Sequence, residues 1–373
     1  MKERTWIEID SSAIRHNISE ARKIIGSKVK LMAVIKANAY GHGLLNVAGI
    51  ALDAGIDWFG VDSLKEALAL RKEGIDTPVL VMGYILKDNL TEAVKNDISL
   101  VVYNKETIEK IAFLKQEAKV HIKIETGTMR QGIYVNDLAD LIKLVKSYPQ
   151  IKIEGIYTHF ANIEDTTDHS FAKKQLKEFD RALEISKKEK ITPMAHTACS
   201  AALILYSETH FDMVRFGISM YGYWSSPQTI VSAKNLKRDT EFSPALTWKT
   251  RIAQIKEIKA GMPIGYGLTE KIAQDTRIAV IPVGYWDGYD RKLSSVGNVL
   301  IKGKRCKILG RICMNMFMAD INHLSDAKVE DEVVLVGRQR EENITIEEIA
   351  QKIGTINYEI VTRINPLIPR INI

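Results

Sequence analysis

Apolar positions along this chain follow two rhythms. In the first, short runs rich in β-branched residues recur: Leu31–Ile35, Trp58–Val61, Val79–Met82, Ser99–Val102, Val120–Ile124, Ile151–Tyr157, Ile191–His196 and Met213–Phe216. Stretches with helical spacing separate most of them. One opens at Ser63 with Glu66 three residues on, a capping-box pattern, and should stop near Gly74. Another, Phe171 to Lys187, lines up Leu176, Phe179, Leu183 and Ile185 as an apolar face. Strand–helix alternation predicts a parallel sheet, and eight units predict an α/β fold with a (β/α)8 TIM-type barrel over residues 10–235. The second rhythm begins near residue 240. The runs Leu246–Ile258, Ile278–Val283, Val299–Ile301, Met316–Ile321 and Val333–Val336 are divided by glycines and polar turns, with one helical segment at Ile346–Ile353. A C-terminal, mostly β domain over 236–373 follows, and Thr5–Ile9, within residues 1–9, is expected to join it as a strand.

Composition narrows the function classes. An apolar fraction of 46% over 373 residues is enough for two cores. The net charge of +6 is dispersed among 46 acidic residues, and the densest basic stretch, Lys302 to Lys307, reads as a hairpin tip. That pattern argues against nucleic acid and suits small anionic ligands. Cys199, Cys306 and Cys313 show neither disulfide nor metal spacing. They point to a reducing, cytoplasmic setting. No apolar run is long enough to cross a bilayer, and the charged start does not resemble a signal peptide.

Candidate chemistry lies at the predicted C-terminal ends of the barrel strands, where barrel enzymes keep their reacting groups. Val34-Ile35-Lys36-Ala37-Asn38-Ala39-Tyr40-Gly41-His42-Gly43 ends the first strand in a lysine and a small, glycine-rich loop. A free amine there can condense with an aldehyde. The fifth strand leads into Lys123-Ile124-Glu125-Thr126-Gly127-Thr128-Met129-Arg130-Gln131-Gly132, whose Arg130 can fork onto a carboxylate or phenolic oxygen. Tyr157-Thr158-His159 ends the sixth strand, His196-Thr197-Ala198-Cys199-Ser200 follows the seventh, and Arg215-Phe216-Gly217-Ile218 ends the eighth. Loops after the last two strands, beside a helix N-terminus, are a common barrel phosphate site.

The Lys36 decapeptide resembles the cofactor-lysine signature of the alanine racemase family, and the resemblance extends over most of the chain. It implies pyridoxal 5′-phosphate bound covalently to Lys36, with Lys36 as the base on one face of the substrate. It implies that Tyr40, Ser200, Gly217, Ile218 and Tyr358 hold the cofactor phosphate, that His159 packs on its ring and that Arg215 faces the pyridine nitrogen. Arg130 and the Met314 backbone N–H are implied as carboxylate ligands, Lys123 as a carbamylated lysine, and His196 as the support behind Arg215. Gly261-Met262-Pro263-Ile264-Gly265-Tyr266-Gly267 resembles the loop carrying the opposing base, Tyr266, which the family takes from a partner subunit. A homodimer with shared sites is therefore implied, acting on alanine in D-alanine biosynthesis for cell-wall precursors, with no nucleic acid or membrane partner. The chain departs from the family pattern at Asn315, where aspartate is usual, and at Cys199, Trp286 and Thr128-Met129, which keeps serine open as an alternative substrate. Rival readings are weaker. A decarboxylase profits from a protonated pyridine, which Arg215 disfavours. A non-catalytic cofactor carrier resembles the barrel alone. A metal hydrolase built on His121, His159 and His196 has no carboxylate cluster to complete it.

Overall fold

A computed structural model describes residues 2–238 and 240–373. The chain divides into two compact units, one of residues 12–39 and 47–244 and the other of residues 1–11, 40–46 and 245–373.

The first unit is a nearly closed parallel barrel. Its strands are Lys30–Val34, Trp58–Val61, Val79–Val81, Ser99–Val102, Ala118–Glu125, Ile151–Tyr157, Met194–His196 and Met213–Phe216, in that spatial order, with the eighth pairing back to the first. All lie within two residues of the predicted runs except the seventh, which starts three residues later than expected. The seventh and eighth strands form no regular ladder. Two backbone bonds join them, from Asp212 N–H to Ala195 O at 3.0 Å and from Arg215 N–H to Ala198 O at 3.0 Å. Trp58–Val61, Val79–Val81, Ser99–Val102 and Met213–Phe216 are buried along their whole length, as parallel strands sheathed by helices must be. The helix Leu64–Lys72 carries the expected capping box: Ser63 Oγ accepts from Glu66 N–H, and Glu66 returns to Ser63 N–H.

The second unit is a ten-stranded sheet. Its main order is Gln254–Ile258, Thr276–Ile281, Phe317–Asp320, Lys304–Leu309, Asn298–Ile301, Glu332–Gln339, Leu246–Arg251, Thr5–Ile9 and Arg370–Asn372. Neighbours are antiparallel except the last pair. Thr5–Ile9 joins it as expected, in register with Leu246–Arg251. The strand Leu246–Arg251 alternates strictly, with Leu246, Trp248 and Thr250 inward. The expected run Leu246–Ile258 is in fact two strands with different partners. The basic stretch also differs from expectation. Only Lys302 and Gly303 form the turn, while Lys304–Leu309 is a strand that exposes Lys304, Arg305 and Lys307 and buries Cys306 and Ile308. A six-residue helix, Asn357–Thr362, was not legible from periodicity. No helix among the described residues is long and apolar enough to cross a membrane.

Candidate active site

The loop after the first barrel strand has an unusual backbone. Ala37, Asn38, Ala39 and Tyr40 all take φ between 51° and 55°, the left-handed region that L-residues ordinarily avoid. Backbone donors help to hold the turn. Ala39 N–H donates to Ile35 O at 2.8 Å, and Asn38 N–H donates to Glu66 Oε1 at 3.3 Å. Glu66 therefore has a second duty that the capping pattern does not reveal: its carboxylate ties the following helix to the Lys36 turn. Lys36 itself is half-buried at the strand end.

The loop carrying Arg130 is organised by Glu125. Its carboxylate accepts from Gly127 N–H at 2.5 Å, Thr128 Oγ1–H at 3.0 Å and Arg130 N–H at 3.2 Å. Burial works to raise the Glu125 carboxyl, but these bonds outweigh it and hold it below its ordinary value. Gly132, at φ 142°, has no room for a Cβ, which would sit 2.6 Å from Glu125 N. The Arg130 side chain stays exposed.

Lys123 and Arg215 lie deeper. Lys123 is 4% exposed and donates to Gln131 Oε1 at 2.9 Å. Burial first, then the charges of Arg130 and Arg215, lower its amine to about 8. Lys36 pushes in the same direction, so four cations share one electrostatic neighbourhood, with Glu125 acting against them. Arg215 is 4% exposed. Its Nη1 donates to His196 Nδ1 and His196 O, both at 2.9 Å. Its Nη2 donates to Thr158 O and Thr197 O at 2.8 Å and lies 3.3 Å from His159 Nδ1. Nε makes no hydrogen bond among the described residues. Tyr157 stacks on His196 with ring centres 4.7 Å apart and lies beneath the Arg215 guanidinium at 5.2 Å. Burial and then Arg215 drive His159 and His196 well below the ordinary imidazole value, so both rings are neutral acceptors.

Ser200 opens the helix Ser200–Leu205 and is buried. Its Oγ accepts from Gly217 N–H at 3.0 Å. Ser219 Oγ and Tyr157 Oη are buried and have no hydrogen-bond partner among the described residues. Cationic side chains, unspent hydroxyls and a free Nε suit an anionic ligand with a ring acceptor. His121, expected as one of three separated histidines, instead bonds to His196 through Nδ1···Nε2 at 3.0 Å.

The other expected residues lie in the β unit. Tyr40 and Tyr358 have ring centres 6.1 Å apart. Gly41, at φ 81°, is pressed on the helix Asn357–Thr362, where a Cβ would meet Val361 O at 2.0 Å. Met314 gives its carbonyl to Trp286 N–H at 3.0 Å, while its own N–H makes no bond among the described residues. Tyr266 is 70% exposed, between Gly265 and Gly267, which take φ of 75° and 76°. A Cβ on Gly267 would lie 2.6 Å from Arg311 Nη1, so a guanidinium stands beside this turn.

Models of the alanine racemase N-terminal and C-terminal domains match residues 9–225 and 245–372. The chain belongs to the alanine racemase family. An alanine racemase of Desulforamulus reducens is 41% identical over the full length of both chains, and one of Methanococcus maripaludis is 40% identical over 98% of each. The crystal structure of a Bacillus anthracis alanine racemase with bound L-Ala-P superposes with a TM-score of 0.93 at 36% identity, covering 100% of this chain and 96% of that one. These alanine racemases lend no support to serine as the alternative substrate. Against the family's motifs, sequence reasoning passed over Gln131, Glu66 and Glu154. Gln131 stands inside the quoted Arg130 motif, but only its bond to Lys123 marks it.

Proposed function

We propose that this chain interconverts L- and D-alanine by a two-base mechanism with pyridoxal 5′-phosphate. Residues 10–235 carry the cofactor, and residues 236–373, with 1–9, supply the second base to a partner subunit. The observation that carries the reading is Arg215, held by neutral acceptors with Nε left over. The cofactor, when bound, draws electrons from the substrate's α-carbon and makes its proton acidic.

The protein's own part follows from its residues. Lys36 holds the cofactor covalently and moves the α-proton on one face. Tyr266 of a second copy moves it on the other, because inversion needs a proton to leave one side and arrive on the opposite one. Arg311 stands beside the Tyr266 turn, where a Cβ added to Gly267 would meet its guanidinium. Tyr40, Ser200, Gly217, Ile218 and Tyr358 hold the phosphate, and His159 packs on the ring. Arg130 and the Met314 N–H hold the substrate carboxylate. Arg215 donates to the ring nitrogen but cannot surrender its proton. By keeping its proton, Arg215 would favour simple return of the substrate's proton over competing reactions. Lys123, with its amine near 8, has an unprotonated fraction able to add carbon dioxide and release a proton, giving a carbamate that would face Arg130. Exposed Met262, Leu268, Trp286 and Met316 accompany Tyr266 on the β unit and fit the homodimer this scheme requires. We place the enzyme in the cytoplasm.

Polarimetry on L-alanine with added cofactor tests the scheme. Wild type should turn yellow and abolish the optical rotation, and Lys36→Ala should do neither. Colour and scrambling that both survive in Lys36→Ala would overturn it.

A further inference from the structure

The chain of contacts behind Arg215 does not stop at His196. His196 Nε2 meets His121 Nδ1 at 3.0 Å, and His121 Nε2 lies 3.4 Å from Glu154 Oε2. Glu154 accepts from Ser99 Oγ–H at 2.6 Å. Ser99 opens the fourth strand and Arg215 stands near the end of the eighth. The series thus runs through the barrel interior, from the face opposite the candidate site to the site itself. Two local features build it. The pairing of the fifth and sixth strands slips between Val120 and His121, so that Ile153 faces Val120, Gly155 faces His121 and Glu154 is left over as a bulge. Gly155 also clears the space for the imidazole, since a Cβ there would sit 2.1 Å from His121 Nδ1.

Proton positions along this series follow from one fact: a guanidinium only donates. Arg215 Nη1–H must donate to His196 Nδ1, which leaves the His196 proton on Nε2. That proton must be given to His121 Nδ1, which leaves the His121 proton on Nε2, 3.4 Å from Glu154 Oε2 but outside hydrogen-bond geometry, so that the carboxylate acts on it as a nearby charge. The two bonded hydrogens point the same way, from the rim inward to His121, and the Glu154 charge lies beyond the far side of that ring. The directions of titration agree. Burial lowers His121 more than Glu154 raises it, and Glu154, although burial opposes its charge, is held ionised by His121 and Ser99.

We infer that Glu154 and His121 are positioning residues for Arg215: His196 and His121 form a one-way series of acceptors, biased by the Glu154 charge, that fixes the guanidinium and leaves its Nε unspent. The inference rests on the reading of Arg215 as the group that faces the cofactor ring. A carboxylate placed directly on Arg215 would hold it harder, but would put an anion beside the ring nitrogen. Two neutral imidazoles deliver the acceptor while keeping the charge at a distance. Aligned bonds polarise one another, and the Glu154 charge, 3.4 Å from His121 Nε2, polarises the His196–His121 bond in the same sense and so strengthens the near acceptor.

The test uses full-length protein with 15N-labelled histidine, as wild type and as Glu154→Gln. Glutamine keeps an acceptor for Ser99 and the side chain's size while removing the charge. In cofactor-free wild type, NMR should find His121 and His196 each protonated on Nε2 alone near neutral pH. In Glu154→Gln, both Nε2–H resonances should move, that of His196 toward a weaker hydrogen bond. The visible absorption of the reconstituted enzyme should shift, and kcat should fall about fivefold, the factor of one modest hydrogen bond, with KM for alanine little changed. A purely structural role would lower Tm and leave the His196 resonances in place. Two results would overturn the inference: His121 protonated on Nδ1 or on both nitrogens in wild type, or His196 resonances and cofactor absorption indifferent to Glu154→Gln. Because the NMR is read without cofactor, failure of the racemase reading in the Lys36→Ala experiment leaves its answer intact and separate.

Discussion

Two cations sit inside one barrel mouth and are stabilised in different ways. Arg215 keeps its charge through four short bonds to neutral acceptors, the arrangement that lets a buried guanidinium stay ionised without an ion pair. Lys123 has one neutral acceptor, Gln131, and yields instead, its amine falling from 10.5 to about 8. Its folded value therefore lies below its unfolded value. Below pH 8 both states hold the proton and the folded state carries the cost of burying it. Between pH 8 and 10.5 the folded state releases the proton while the unfolded chain keeps it, so this residue's contribution to stability rises with pH. At about 1.4 kcal/mol per unit the effect approaches about 3 kcal/mol. Urea unfolding in carbon dioxide-free buffer should show wild type gaining on Lys123→Met across that window. Parallel curves for the two proteins would refute the assignment. Lys36, Arg130 and Arg215 were legible in the sequence because each stands in a contiguous motif at a predicted strand end. The roles of Glu154 and of His121 were not, since they depend on a one-residue slip between two strands that no local pattern announces.

Elements were legible where their periodicity was local. The eight barrel runs and the helix Ile346–Ile353 needed only burial and spacing to be seen. The break inside Leu246–Ile258 escaped because no glycine or proline marks it. Ile252 and Ala253 bond to Asp331 O and Val280 O, and it is these distant partners that turn the chain from one ladder to another. Packing between elements also sets apart glycines that look alike in sequence. Gly155 lies within the sixth strand against His121, whereas Gly49 lies exposed within the helix Leu44–Asp53 with no atom within 4 Å of an added Cβ. Gly155→Ala should cost about 1–3 kcal/mol by overpacking and disturb the Arg215 support. Gly49→Ala should gain about 0.5–1 kcal/mol, the helix preference for alanine. Thermal unfolding of the two variants should therefore move in opposite directions from wild type. A shift of the same sign in both would show that strand packing at Gly155 is looser than these distances imply.

At the scale of the whole molecule, Lys36 and Tyr266 belong to different compact units of the chain, and Tyr266 is largely exposed on its own protomer. Inversion at one carbon needs both residues at one site. If each site draws Lys36 from one chain and Tyr266 from another, two inactive proteins can repair each other. Lys36→Ala homodimers lack the amine at both sites, and Tyr266→Phe homodimers lack the phenol at both. In a mixed dimer one site combines the intact lysine of one chain with the intact tyrosine of the other, and the second site inherits both defects. Equal amounts, allowed to exchange subunits freely, give mixed dimers as about half of all dimers, each with one good site. Racemisation should then return to about a quarter of the wild-type level, measured by polarimetry on L-alanine. The recovery should vanish when the two variants are mixed under conditions that block exchange. If each chain instead kept its own lysine–tyrosine pair, every site in every mixture would lack one base, and no proportion of the two variants would restore turnover.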